Sequence, residues 1–478
     1  MLKTTFKFPV IILLIISDIF AFYISLIIAF YVRLVAGKCS HLFPYFNQTL
    51  FHYFTLWWLI VTFIISNFYH RLYTKRYIFW EQVREIIKSN TVAFFVILTI
   101  VSIGKMSGII SRAVLTITYL LSLIISPLIK FFVELVMYKS GMWKANAIII
   151  GAGNAGRCLD DGLKREWHLG YNIIGFLDDD ENKKNTIVND KKVLGTIAEI
   201  DKIVLTNNVQ TVFVAITNIE PQYLSNLVTK VQRIVKEVYL VPNIKGIPLM
   251  DTELHYLFYQ ELLMLQIKNN LMNPLNRFFK RVFDLTLTIL ILPFFIPIFI
   301  VIALIIKLDS DGPVLYMHKR IGKDRKDLKV YKFRTMYTDA DTRLKHILET
   351  DHKAQTEWQL YFKLRDDPRI TRVGKFLRKT SLDETPQLIN VLIGNMSLVG
   401  PRPVVAEELD LYYKDYAGYY LSILPGVTGL WQVSGRNNTN YDYRVKLDLW
   451  YVMNWSLWFD IMILIKTIRV IIKGEGAY

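Results

Sequence analysis

Two adjacent carboxylates, Asp383 and Glu384, stand in the run Arg378-Lys379-Thr380-Ser381-Leu382-Asp383-Glu384-Thr385-Pro386-Gln387, and three other stretches nearby are dense in cations, Gly and Pro. These are Tyr331-Lys332-Phe333-Arg334-Thr335-Met336, Gly400-Pro401-Arg402-Pro403, and residues 425–436, which end in Gly435-Arg436. Cations fixed amid rigid turns suit a multiply charged phosphate, which Arg grips bidentately and Lys meets as a point charge. Lys332, Arg334, Arg378, Arg402 and Arg436 are therefore the candidate phosphate-binding residues. A solvated basic face accounts well for 323–329 but poorly for Arg402 and Arg436, held by Pro or Gly neighbours. Ser381-x-x-Glu384 has the form of a helix capping box, yet Pro386 would then fall inside the helix. Thr385 as N-cap with Pro386 first is the better start. The acidic pair then lies just before a helix N-terminus. There the dipole and Arg378 keep Asp383 ionised, as a carboxylate nucleophile requires, and Glu384 is placed to hold a divalent cation against a pyrophosphate.

The elements that must position this chemistry are membrane-like. The chain has 478 residues, 53% of them hydrophobic, and a formal charge of +16. Residues 1–144 carry +10, 145–273 carry −2 and 274–478 carry +8, so the positive charge sits beside the apolar runs. Anionic lipid and the positive-inside rule explain that placement, and nucleic acid does not, since its binders carry charge on water-soluble modules. Cys39 and Cys158 are the two cysteines, far apart, which excludes a disulfide framework and a Cys-based zinc site.

Apolar runs at 8–32, 50–69, 91–104 and 113–137 predict four transmembrane helices within 1–144. The first is longer than a signal-peptide core, lacks a cleavage site and is expected to remain as an anchor. Lys3, Lys7, Arg71, Lys75, Arg76, Arg84, Lys88, Lys139 and Lys144 outnumber Arg33, Lys38, Lys105 and Arg112 on the opposite side, which puts both ends of this region in the cytoplasm. Asp18 falls inside the first span. It is either functional or paired with a polar group between helices, and the absence of an intramembrane relay favours pairing.

Residues 145–273 alternate strand and helix patterns, with strands at 147–150, 173–176, 211–215 and 237–241 and a helix over 155–167, and predict a Rossmann-like parallel α/β domain. The turn Gly151-Ala152-Gly153-Asn154-Ala155-Gly156 and Asp178, at the end of the second strand, fit a dinucleotide fingerprint. Gly151, Gly153, Gly156 and Asp178 are candidate nucleotide-binding residues. A domain that keeps the tight turn while binding another nucleotide, or nothing, fits equally well.

The run 282–306 is long enough to cross a membrane, but Arg277, Lys280 and Arg281 precede it and a second basic cluster, 307–329, follows. Both ends want the cytoplasmic face. Pro293 and Pro297 remove backbone donors and bend a helix, so the run predicts a re-entrant helix entering one leaflet and returning, with an ordinary kinked span as the alternative. Near the C-terminus, aromatics and aliphatics over 450–465 followed by Lys466, Arg469 and Lys473 fit either an interfacial helix or a core-packed one.

The motifs from Lys280-Arg281-Val282-Phe283-Asp284 through Lys332-Phe333-Arg334-Thr335-Met336, Asp367 to Arg372, Leu382-Asp383-Glu384-Thr385-Pro386-Gln387, Gly400-Pro401-Arg402-Pro403 and Gly429 to Arg436 stand in an order that resembles the monotopic polyprenyl-phosphate phosphoglycosyl transferases. The resemblance covers about 277–478. It implies that 274–478 is an α-rich catalytic domain using a UDP-sugar donor, undecaprenyl phosphate as acceptor and Mg²⁺. It also implies Asp383 as nucleophile, Glu384 as the residue assisting with metal and protonation, phosphate positioning by Arg378, Arg402, Lys332 and Arg436, and Pro293 as the helix-breaking proline. The whole architecture implies galactose-1-phosphate transfer in O-antigen, capsule or exopolysaccharide assembly at the bacterial inner membrane, with glucose open. A homo-oligomer is compatible with the sequence. A membrane-anchored NAD-dependent sugar-nucleotide dehydratase shares the first two regions, but would need a larger Rossmann unit beyond residue 270, where this chain turns apolar. A scaffolding role for a degenerate enzyme is opposed by the intact acidic pair.

Overall fold

The computed structural model describes residues 8–39, 48–184, 186–216, 219–242, 252–257, 262–266, 270–350, 355, 367–435 and 440–473. They fall into two compact units, Met1–Lys245 and Gly246–Tyr478.

The first unit opens with helices α1 (Phe8–Cys39), α2 (Leu50–Thr55), α3 (Trp57–Tyr69), α4 (Phe79–Ile103) and α5 (Arg112–Lys139). The expected second span is broken at Leu56, whose backbone leaves the helical region, so α3 alone is too short to cross a bilayer. The expected third span starts twelve residues earlier than its apolar run, because Glu81, Gln82 and Glu85 are helical too. Such polar residues are tolerated where neighbouring helices satisfy them. Gln82 donates to Glu134 of α5, and the Ser89 hydroxyl donates to Asn67 Oδ1 at 2.6 Å. Asp18 is likewise paired: Asn67 and Tyr73 donate to its Oδ2 at 2.9 and 2.6 Å, with the Lys130 ammonium at 3.7 Å.

Strands β1 (Ala145–Ile150), β2 (Tyr171–Leu177), β3 (Ile187–Val188), β4 (Lys191–Gly195), β5 (Thr211–Val214) and β6 (Glu237–Leu240) form one sheet in the order β3-β4-β2-β1-β5-β6. All neighbours are parallel except the edge pair β3–β4. The unbroken run Ala147–Ile150 is fully buried, as a central strand covered by helices on both faces must be. Helices α6 (Asn154–Arg165), α7 (Ile200–Thr206) and α8 (Pro221–Ile234) connect the strands. Arg76 ties the α3–α4 loop to this domain by donating to the carbonyls of Leu169 and Trp143 at 2.6 and 3.0 Å.

The second unit begins with an antiparallel pair, β7 (Glu253–Leu257) and β8 (Leu262–Gln266), followed by α9 (Pro274–Asp309). Helix α9 extends the expected 282–306 element at both ends: it is a 36-residue helix with Pro293 and Pro297 inside it. With α1, α4 and α5 it is one of four helices among the described residues long and apolar enough to cross a membrane. Asn273 caps its start by accepting from the Leu275 N–H at 3.0 Å. Lys280 and Asp284 extend the helix beyond its apolar run because the globular part of the unit satisfies them. Lys280 pairs with Asp460 at 2.7 Å, and Asp284 accepts from Ser397 Oγ at 2.7 Å. At the other end, Ile302 and Ile306 pack with Phe333 and Leu377. Both ends of α9 thus rest on the same unit.

Strands β9 (Leu315–Ile321) and β10 (Asp327–Phe333) form an antiparallel ribbon, and β11 (Ser397–Val399) pairs in parallel with β12 (Gly426–Thr428). The C-terminal helix spans Leu457–Lys473, with one face packed and the other exposed. Phe459, Asp460 and Ile463 are buried, whereas Ile465, Ile468 and Ile472 are exposed.

Candidate active site

Helix Arg372–Thr380 stops at Ser381, whose backbone is left-handed (φ +56°), and a single 3₁₀ turn, Leu382–Glu384, carries the acidic pair into helix Gln387–Ile393. Thr385 is not the N-cap. Its hydroxyl turns back to donate to the Leu382 carbonyl at 2.7 Å, and Pro386 flanks the helix start. The pair therefore sits in a turn continuous with the helix, held by the chain's reversal at Ser381.

Glu384 Oε1 accepts from Lys332 Nζ at 2.7 Å and from Arg402 Nη2 at 3.0 Å. Burial pushes the Glu384 carboxyl up, but the Arg402 and Lys332 cations more than offset it and hold it well below the usual carboxylate range. Asp383 behaves oppositely. Burial and then the negative charge of Glu384 lift it to about 6, against the opposing pull of Lys332, Arg378 and Arg402. At neutral pH both are ionised, Asp383 as the more basic carboxylate.

Three elements bring these groups together. Lys332 comes from β10, which Asn390 of the Gln387–Ile393 helix stitches in place: its buried amide accepts from the Tyr331 N–H at 3.0 Å and donates to the Lys329 carbonyl at 2.7 Å, as a peptide group of a neighbouring strand would. Arg402 follows β11, where close backbone approach requires glycine. A Cβ on Gly426 would lie 2.1 Å from Gly400 N, and one on Gly429 would lie 2.2 Å from Gly400 O. Arg378 is fixed by its Nε donating to Thr335 Oγ1 at 3.0 Å, within electrostatic reach of Asp383. Arg281 of α9 donates to the carbonyls of Val391 and Leu392, placing a cation at the C-terminal end of the helix that follows the pair.

A cleft of about 310 Å³, open to solvent, is lined by Lys332, Glu384 and Arg402 together with His318, Arg320 and Gln432. Asp383, next to Glu384 in the chain, does not line it. Arg334 is not brought to the cleft: its guanidinium is buried on the carbonyls of Ser310 and Asp311, both at 2.6 Å, where it caps the end of α9. This corrects its assignment to phosphate, because both of its Nη groups are engaged at the end of α9, away from the cleft. Lys280, too, is buried in structural contacts. Pro293 lies within α9, and Arg436 falls outside the described residues. Sequence reasoning passed over His318 and Arg320 as functional residues and over Asn390. The alternation along β9 that aims 318 and 320 at one face was the available signal.

In the α/β domain, Gly151 has φ +102° and a Cβ on Gly156 would meet Gly151 O at 2.0 Å, so both are required by the turn, whereas Gly153 faces open space. Asp178 is already engaged: its Oδ2 accepts from the Ala152 N–H at 2.8 Å and from Lys183 at 3.2 Å. In the structure this carboxylate braces the glycine turn.

Among known proteins, residues 275–474 match the bacterial sugar transferase family and residues 67–242 match a CoA-binding domain family. The chain is 39% identical over 409 residues to the undecaprenyl-phosphate galactose phosphotransferase of Salmonella typhimurium, covering 85% of this chain and 84% of that one. It is 38% identical over 414 residues to the UDP-galactose-lipid carrier transferase of Erwinia amylovora, with coverage of 85% and 84%. It is 32% identical over 345 residues to the UDP-glucose:undecaprenyl-phosphate glucose-1-phosphate transferase of Escherichia coli, with coverage of 71% and 70%. Similarity at this level, extending across the membrane helices, the α/β domain and the acidic turn alike, places the chain in the bacterial sugar transferase family.

Proposed function

We propose that the chain transfers a sugar-1-phosphate, galactose-1-phosphate, from a UDP-sugar to undecaprenyl phosphate and releases UMP, through a covalent intermediate on Asp383. The observation that carries this reading is the acidic turn itself: a basic carboxylate beside a strongly acidic one that Lys332 and Arg402 hold ionised. A carboxylate nucleophile must be ionised yet basic enough to attack, and cations must stand where phosphate charge passes.

The Asp383 carboxylate attacks the phosphorus that bears the sugar. The bond from that phosphorus to the UMP oxygen breaks, UMP leaves, and an aspartyl-phosphosugar remains. Lys332 and Arg402 move from Glu384 toward the diphosphate, while Arg378 holds charge beside Asp383. The undecaprenyl phosphate oxygen then attacks the same phosphorus, the bond to Asp383 breaks, and the carboxylate is restored with undecaprenyl-diphospho-sugar as product. One pyrophosphate linkage replaces another, which makes the reaction reversible.

The residues fit Mg²⁺ as a site completed by substrate. Asp383 and Glu384 offer two neighbouring carboxylates, and no group of three or more potential ligating side chains gathers among the described residues. Mg²⁺ is commonly held by one or two carboxylates plus substrate phosphates, and there it would neutralise diphosphate charge.

The docking of both ends of α9 on one unit supports a helix that enters and leaves the same face of the inner membrane, with the site at headgroup level on the cytoplasmic side. Similarity to galactose-transferring relatives across most of the chain supports galactose, and the glucose-transferring relative supports glucose as the second reading. The reaction would initiate O-antigen, capsule or exopolysaccharide assembly. The test is to incubate the enzyme with UDP-galactose labelled on the sugar-linked phosphate, without acceptor, and quench rapidly. Acid-labile label on the peptide containing Asp383 is expected. An unlabelled peptide, with Asp383→Asn still turning over near the wild-type rate, would mean direct transfer.

A further inference from the structure

The cleft has a second wall whose chemistry differs from the first. In the β9–β10 ribbon His318 lies opposite Val330 and Tyr316 opposite Lys332, so His318, Arg320, Val330 and Lys332 share a face, and all four line the cleft with Glu384 and Arg402. The three cations in this set are donors only, and Glu384 Oε1 already accepts from two of them. A sugar nucleotide brings phosphate oxygens, which such cations serve, and hydroxyl groups, which call for an acceptor. Burial, reinforced by Arg320, Lys332 and Arg402, pushes the His318 imidazole down to about 4. The ring is therefore neutral at physiological pH and offers one donor and one acceptor on a ribbon face otherwise cationic or apolar, while Gln387 and Gln432 are the neutral polar groups lining the rest of the cleft.

We propose that His318 is a specificity residue that hydrogen-bonds a hydroxyl of the sugar-nucleotide donor. The proposal rests on the sugar-nucleotide reading above. It gives the cleft lining two separate tasks, the cations taking phosphate and His318 the uncharged part of the same molecule.

The test measures UMP release from UDP-galactose with undecaprenyl phosphate in wild type, His318→Gln, His318→Leu and His318→Phe. Gln keeps a donor and an acceptor, so its KM for the UDP-sugar should stay within about threefold of wild type. Leu and Phe should each raise that KM about tenfold or more, with a smaller change in kcat and no change in the KM for undecaprenyl phosphate. Two arms locate the hydroxyl. On the nucleoside, inhibition by UMP weakens in parallel. On the transferred sugar, UMP inhibition is unaltered and the preference between UDP-galactose and UDP-glucose changes. An unchanged UDP-sugar KM in both Leu and Phe variants overturns the inference, and so does a shift of the acid limb of the pH profile in the Leu variant, which would make His318 a titrating group. A wild-type enzyme that releases no UMP from any UDP-sugar overturns the broader reading and this inference with it.

Discussion

At Asp383, burial and the charge of Glu384 lift the carboxyl to about 6, so the group proposed as nucleophile is costly to ionise, and function and stability pull against each other there. Activity should fall below pH 6 as Asp383 protonates, approaching a tenfold loss per pH unit in kcat/KM. Glu384→Gln removes the charge that raises Asp383 and should move this limb to lower pH, while Arg378→Gln removes a charge that lowers it and should move the limb up. Stability runs with the opposite sign. Because the folded value lies above the unfolded one of about 3.9, the native state binds the extra proton, and stability declines as pH rises from 4 through 6. Asp383→Asn should therefore melt higher than wild type at pH 8 but not at pH 4, while losing at least about 10³-fold in turnover. A thermal melt at the two pH values, alongside UMP release, checks both. The acidic pair and its cations were legible as residue types, since rigid Pro and Gly flanks mark fixed side chains. Which cation goes where was not: Arg334 and Arg378 share basic, Thr-flanked stretches, yet Arg334 turns its Nη groups to the end of α9.

Elements carry the geometry through groups that sequence periodicity does not distinguish from solvated polar residues. Asn390 and Lys280 look like surface positions, but both are buried with their polar atoms satisfied. Asn390→Ala would leave the Tyr331 N–H and the Lys329 carbonyl unpaired behind the strand that carries Lys332. The expected cost is about 1–3 kcal/mol in denaturant unfolding, with a loss of activity from a displaced Lys332. Lys280→Met should cost about 3–5 kcal/mol by stranding Asp460. Lys280→Met combined with Asp460→Leu should recover part of it, and a double variant no better than the single would disprove the pairing as the cause. The α/β sheet was the easier element to anticipate, because the apolar run Ala147–Ile150 and the glycine turn report backbone shape directly. The short pair β3–β4 was missed, since Ile187–Val188 and Lys191–Gly195 are too brief and polar to show a pattern. Helix α9 was foreseen as apolar and proline-broken, yet its true ends at Pro274 and Asp309 depend on partners distant in sequence, Ser397 and Asp460 at the first and Phe333, Val373 and Leu377 at the second.

For the whole molecule the question is on which side of the membrane each soluble part stands, because a nucleotide-sugar donor and UMP belong to the cytoplasm. The proposed topology, which follows the charge asymmetry of 1–144 and a re-entrant course of α9, puts Lys75, Lys144, Arg277 and Lys319 on the cytoplasmic side. A straight 36-residue helix would extend about 54 Å, more than the roughly 30 Å hydrocarbon core requires, so length does not choose between crossing and returning. The contacts at its ends do bear on the choice. Lys280 and Arg281 engage Asp460 and the helix after the acidic pair, while Ile306 packs against Phe333 and Leu377 of the same unit. A crossing would demand that this unit be divided between two compartments. Lys280 is unsuitable for labelling because it is buried, whereas Lys75, Lys144, Arg277 and Lys319 are exposed. Single cysteines at these four positions, in a background with Cys39 and Cys158 replaced, should react with a membrane-impermeant maleimide in inside-out vesicles and be protected in intact spheroplasts. Modification of Lys319→Cys from the periplasm, with Arg277→Cys still protected, would establish α9 as an ordinary fifth crossing and place the acidic turn on the side without nucleotide sugars.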